Sequence, residues 1–288
     1  MVYHRRVREN RYFGWIPRLA GLLGLLTLSG CMPPTWAAPA LLHPGRKPVT
    51  GPPPMPAETV SIAGDGVTLE GWLFRAHGER RGTIVYLHGV ADNRTSATVA
   101  AKRFVQQGYD VLAYDSRALG NSTGDACTYG YYEKRDLGKA IDYLGVPSVS
   151  VVGVSLGAAV ALQAAADDPR VRSVVAISTF SDLRTISAER VPFFASQKNI
   201  RDALALAELQ GHFVVDEVSP VRAASRLSIP VLLIHGAADK ETTPAHSERV
   251  AQALKGPKRL VMLPKAGHAP GLDEATWKIV DEWVKPQP

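Results

Sequence analysis

The stretch Ser148-Val149-Ser150-Val151-Val152-Gly153-Val154-Ser155-Leu156-Gly157-Ala158-Ala159-Val160 constrains this chain more than any other. A β-branched apolar run enters a Gly-x-Ser-x-Gly turn, and an alanine-rich segment leaves it. The run to Val152 predicts a buried parallel strand, and Leu156 to Ala166 a helix. So sharp a turn holds its serine in a strained backbone conformation, with strand and helix nearly touching. Glycines at Gly153 and Gly157 remove the side chains that would collide there and leave Ser155 Oγ exposed above the sheet. The serine also opens a helix, where free N–H groups and the helix dipole favour developing negative charge. A bare Gly-x-Ser-x-Gly arises by chance in a Gly- and Ala-rich chain. The strand–turn–helix context is what makes Ser155 a candidate nucleophile.

This arrangement resembles the nucleophile elbow of the α/β-hydrolase family, and the resemblance extends over nearly all of residues 57–285. It implies an α/β-hydrolase fold: a mostly parallel central sheet with helices on both faces and a small helical cap. The run Gly82–Leu87 reads as a buried strand ending at His88-Gly89, where the family carries its oxyanion loop. The resemblance therefore assigns the backbone N–H groups of Val90 and Leu156 to the oxyanion hole, worth about 3–4 kcal/mol per donor. His88 is read as ordering this loop. Asp115-Ser116-Arg117-Ala118-Leu119-Gly120-Asn121-Ser122 is similar to the family's Asp-x-Arg-Gly-x-Gly-x-Ser, with Ala118 departing from it. Asp115 and Arg117 are expected to pin that loop. Ser219-Pro220 and the strand Ile229 to Gly236 resemble a subgroup that includes bacterial esterases and mammalian depalmitoylase-like hydrolases.

By the same resemblance, Asp239, in Gly236-Ala237-Ala238-Asp239, is the acid. His268, in the glycine-containing loop after the strand Lys258–Leu263, is the base. The order Ser155, Asp239, His268 is the one this fold uses. A serine hydroxyl needs a base titrating near the operating pH, and a carboxylate on the far imidazole nitrogen sets the tautomer. Asp182, after the preceding strand, is the rival acid.

The leader is legible without the fold. A basic segment over residues 1–18 precedes an apolar core from Leu19 to Leu28, the pattern of a secretory signal, too short for a comfortable membrane span. It ends in Leu28-Ser29-Gly30-Cys31, which resembles the bacterial lipobox; an uncleaved anchor is the alternative. The resemblance implies cleavage after residue 30, lipidation of Cys31, and a bacterial envelope protein facing away from the cytoplasm. Several acyl chains would anchor it stably. Residues 31–56, rich in Pro, Ala and Gly, read as an extended tether, with the folded domain starting near Ala57. The +6 net charge arises mostly in the leader, which holds five arginines against Glu9; the other 258 residues carry 28 basic and 26 acidic side chains. That balance is no nucleic-acid footprint. Cys127 is the one cysteine beyond Cys31, so a mature chain has no intrachain disulfide, and Cys127 is expected to be buried.

Residues 182–228 are long for a strand connection and read as a cap. Phe193 and Phe194 in it either line a substrate pocket or pack the cap onto the core; Leu204, Leu206 and Phe213 add further apolar surface. No His, Cys, Asp or Glu spacing resembles a metal site, and no glycine-rich loop resembles a nucleotide cradle, so no cofactor or metal is expected. The resulting expectation is a membrane-tethered serine hydrolase acting on a small-molecule or lipid acyl ester, with thioester and amide left open. The alternative is a non-catalytic lipoprotein using the fold as a binding module.

Overall fold

The computed structural model describes residues 33–190 and 196–285. Cys31 with the leader, and Phe193 and Phe194, lie outside them. The strands are β1 (Glu58–Ala63), β2 (Thr68–Phe74), β3 (Gly82–Leu87), β4 (Tyr109–Tyr114), β5 (Val149–Val154), β6 (Val171–Ile177), β7 (Val231–Gly236) and β8 (Lys258–Leu263). They form one sheet in the order β1-β2-β4-β3-β5-β6-β7-β8. The hairpin β1–β2 and the β2–β4 pair are antiparallel; from β4 through β8 every pair is parallel. This is the mostly parallel sheet that the resemblance implied.

The helices are α1 (Pro34–Leu42), α2 (Thr98–Gln106), α3 (Glu133–Leu144), α4 (Leu156–Ala165), α5 (Leu183–Glu189), α6 (Gln197–Gly211), α7 (Pro220–Ala224), α8 (Pro244–Ala253) and α9 (Glu274–Val284). Strand side chains alternate between two apolar layers, as a sheet covered on both faces requires. Val85, Leu87, Val149 and Val151 face α1, α3 and α4. Ile84, Tyr86, Val152 and Val175 face α2 and α9. After β3 the chain lays β4 on one side, then crosses to put β5 on the other. Such a reversal opens a crevice at the carboxyl ends of the strands.

The segment expected to be a tether is instead part of the domain. Ala37, Ala38, Leu41 and Leu42 are buried, and their spacing is that of one helical face. The carbonyls at a helix C-terminus lack partners in their own helix. Here Leu42 O accepts from the Cys127 N–H at 2.8 Å, and Leu41 O accepts from the Tyr129 hydroxyl at 3.0 Å. Beyond α1, Asn93 Nδ2 donates to Lys47 O and the Val49 N–H donates to Asn121 Oδ1, strapping residues 43–49 to the domain. The folded unit thus starts before Ala57. Prolines hid this, because they break the apolar period without preventing a helix that opens on one. Leu42→Ala is expected to cost about 2–5 kcal/mol, the range for a fully buried leucine. Denaturant unfolding measures it, and a tether residue would give a change near zero.

Asn93 accepts from the Thr95 N–H and opens a 3-10 turn, Arg94–Ala97, that leads into α2. Helix α3 begins only at Glu133, after a turn in which Tyr129 and Gly130 have φ of 57° and 116°. The buried Glu133 carboxylate holds that turn, accepting from the Thr128 N–H, the Thr128 hydroxyl and the Gly130 N–H.

Candidate active site

Ser155 follows β5 with φ 52° and ψ −111°, a region that costs a non-glycine residue on the order of 1–3 kcal/mol. The neighbouring glycines are sterically required. A Cβ on Gly153 would lie 2.3 Å from Gly157 O, and one on Gly157 would lie 2.2 Å from Leu87 O. The turn is fastened by the Ser155 N–H donating to Ile177 O at 2.8 Å and the Gly157 N–H donating to His88 O at 3.1 Å. Ser155 itself remains 8% exposed.

The loops after β7 and β8 meet this turn. A Cβ on Gly236 would strike Gly267 O at 2.2 Å, so the glycine ending β7 lets the two loops touch. The Ala238 N–H donates to Ala266 O at 2.9 Å across that contact. His268 is thereby set with Nδ1 2.7 Å from Asp239 Oδ2 and Nε2 2.9 Å from Ser155 Oγ. The carboxylate can only accept, so Nδ1 carries a proton and Nε2 is free to receive one from the serine. Asp239 Oδ1 accepts from the N–H groups of Glu241 and Thr242, both at 2.9 Å. Burial alone would raise the Asp239 pKa. The hydrogen bonds from His235 and His268 and from the Thr242 N–H outweigh it and hold the carboxyl well below the usual range.

Asp182, the rival acid, is elsewhere: it caps α5, accepting from the Thr185 N–H at 2.7 Å and the Ser181 hydroxyl at 2.9 Å. His88 is fully buried. Its Nε2 accepts from the Ser116 N–H at 2.9 Å, so Nδ1 carries the proton and donates to Gly89 O at 2.7 Å. Burial pushes its pKa down, leaving a neutral ring that orders the loop. Asp115 and Arg117 also act as pins. Asp115 accepts from the Arg94 guanidinium and N–H and from the Asn121 N–H, and Arg117 grips Asp136 with Nε and Nη2. Ala118, where the family shows glycine, adopts φ 60°, so the turn persists at some strain. Cys127 is buried, which pushes its thiol well up.

Val90 and Leu156 come to one cleft with Ser155. Its other walls are Leu41, Tyr129, Phe180, Leu183, Ile186, Ser187 and Arg190. Leu156 is the first residue of α4, so its N–H has no preceding turn to bond. Among the described residues neither it nor the Val90 N–H donates to a backbone carbonyl. Of the cap residues named from the sequence, Leu204 and Phe213 are buried in the core and Leu206 packs against it; Leu183 and Ile186 reach the cleft instead.

Three participants carried no usable sequence signal. His235 Nε2 lies 3.2 Å from Asp239 Oδ2 and 2.8 Å from Thr242 O, and both acceptors require a proton there. Its place four residues before Asp239 was the one available hint. Leu41 was hidden in the supposed tether, and Arg190 in the cap. Among the described residues no cluster of three His, Cys, Asp or Glu groups could hold a metal, and no helix is long and apolar enough to cross a membrane.

The model of the α/β-hydrolase-fold family matches residues 82–222. YfhR of Escherichia coli O157:H7, an uncharacterised protein, is 27% identical over 266 residues, covering 88% of this chain and 87% of its own. YqkD of Bacillus subtilis, also uncharacterised, is 28% identical over 225 residues, with 71% and 70% covered. Among solved structures, the Pyrococcus furiosus esterase Pf2001 superposes with a TM-score of 0.66 at 20% identity, covering 85% of this chain and 98% of its own. Est1E of Butyrivibrio proteoclasticus, solved with ferulic acid bound, gives 0.62 at 18% identity, with 78% and 99% covered. Sheet order, strand-end loops and these likenesses agree: the chain has the α/β-hydrolase fold.

Proposed function

We propose that the protein is a serine hydrolase that cleaves an acyl ester through an acyl-enzyme. What carries the reading is the continuous hydrogen-bonded chain Asp239–His268–Ser155, ending on a strained serine at the start of α4. Ser155 Oγ attacks the acyl carbonyl as its proton passes to His268 Nε2. The Val90 and Leu156 N–H groups receive the oxyanion, and Asp239 stabilises the imidazolium. Collapse breaks the acyl carbon–oxygen bond, with the His268 proton leaving on the alcohol. Water, deprotonated by the same nitrogen, then releases the acid and regenerates the serine. Thioesters suit the same machinery; an ester is favoured over an amide because amide cleavage also needs the leaving nitrogen protonated and a peptide positioned, and no feature for that is identified among the described residues. The mature protein is taken to be held at a bacterial membrane by lipid on Cys31. Because α1 starts three residues later, that anchor would hold the cleft close to the bilayer surface.

One experiment tests both parts. Detergent-extracted protein, treated with a fluorophosphonate and analysed by mass spectrometry, is expected to carry the probe on Ser155 and acyl chains on an N-terminal Cys31. An unlabelled Ser155 in folded protein would overturn the hydrolase reading. An N-terminus that is unacylated or begins elsewhere would overturn the anchor.

A further inference from the structure

We propose that Arg190 binds an anionic group on the acyl part of the substrate, making the substrate class esters of acyl groups that carry a carboxylate; this rests on the hydrolase reading above. Arg190 closes α5 and shares the cleft with Ser155, Leu156 and Val90, where most of the other walls are apolar. Its Nε donates to Glu241 O at 3.1 Å and its Nη2 donates to Thr242 Oγ1 at 3.2 Å. Both bonds use the same edge of the guanidinium. The other edge, made by Nη1 and the second Nη2 hydrogen, has no partner among the described residues.

Glu241 is the one nearby carboxylate without a described partner, and it acts on Arg190 through its charge with no described ion pair between them; the others are committed elsewhere. Glu189 is engaged by His246 and Arg249, Asp239 by His268 and His235, and Asp182 caps α5. The buried arginines Arg94 and Arg117, by contrast, each sit on an aspartate. Arginine keeps its charge under protein conditions, and a partly desolvated cation with no ion pair among the described residues is incompletely compensated. A free guanidinium edge matches the two oxygens of a carboxylate. Burial pushes the Arg190 pKa down, with Tyr129, Glu241 and Asp239 acting the other way. A neutral acyl chain would fill the apolar walls and leave this edge unused.

The test compares 4-nitrophenyl half-esters of succinate, glutarate and adipate with neutral esters of the same shape, in which a branched methyl end replaces the carboxylate. The wild type is expected to prefer the half-ester, at one chain length or more, by roughly 10- to 100-fold in kcat/KM, the scale of hydrogen bonds to a charged group. Arg190→Gln should collapse that ratio, mainly through KM, and Arg190→Lys should restore part of it. If no half-ester exceeds its neutral counterpart, the proposal is overturned. The same holds if Arg190→Gln lowers both esters by one factor, since Arg190 would then only fasten α5 to the acid loop. A second arm does not depend on turnover: Ser155→Ala protein should bind the half-esters by calorimetry and lose that binding when Arg190→Gln is added. Absence of turnover in wild type would sink the hydrolase reading alone, while the calorimetry still decides the arginine. No binding there overturns it.

Discussion

Ser155→Ala is expected to abolish ester hydrolysis, with kcat falling on the order of 10⁶-fold, the scale seen when a triad serine is removed. The fold should survive the change. Alanine keeps the Cβ, so the strain at φ 52° is altered little. The Ser155 N–H bond to Ile177 O belongs to the backbone, and the hydroxyl's one described bond is to His268. Melting and unfolding curves should therefore stay within about 1 kcal/mol of wild type. Whatever activity remains would come from binding and from the Val90 and Leu156 N–H groups proposed to receive the oxyanion. Full activity in a well-folded Ser155→Ala protein would remove the serine mechanism.

The second large effect is Asp239→Asn, expected to lower kcat by about 10⁴-fold, by analogy with the serine proteases. The cause is a donor meeting a donor. In the wild type Asp239 Oδ1 accepts from two backbone N–H groups, and the asparagine oxygen takes over that place. Its NH₂ then faces His268 Nδ1, where Oδ2 accepted at 2.7 Å. The imidazole answers by moving its proton to Nε2, which can no longer receive one from Ser155. Asp182→Asn should do little by comparison, because asparagine also caps a helix well. If Asp182→Asn were the more damaging change, the acid would have to be reassigned.

Asp239 carries a pH signature as well. Its folded pKa is depressed, so it adds stability that is present above the unfolded value, about 3.9. That stability is lost as pH falls through the lower folded value. The stability lead of wild type over Asp239→Asn should thus hold at neutral pH and shrink below about pH 4. Urea unfolding between pH 3 and pH 7 measures it; a lead that grew toward acid would contradict the assigned charge.

What the amino-acid sequence by itself determined was local. The β-branched run into Gly153-Val154-Ser155-Leu156-Gly157 predicted a strand, a tight turn and a helix, because period, sterics and glycine placement act over neighbouring residues. The strands Gly82–Leu87 and Lys258–Leu263 were legible for the same reason. Resemblance supplied the order of Ser155, Asp239 and His268.

Tertiary structure decided whatever depended on distant partners. It brought Asp239 rather than Asp182 to His268, since that choice turns on two loops meeting across Gly236. It set His235 on the same carboxylate. It turned the proline-rich stretch after Cys31 into α1, whose Leu42 and Leu41 carbonyls accept from Cys127 and Tyr129, far along the chain. It also left one edge of Arg190 without a partner among the described residues. Pro39, inside the nine residues of α1, works against a helix locally. The apolar face of α1 becomes stable only when α6 and the core are there to cover it.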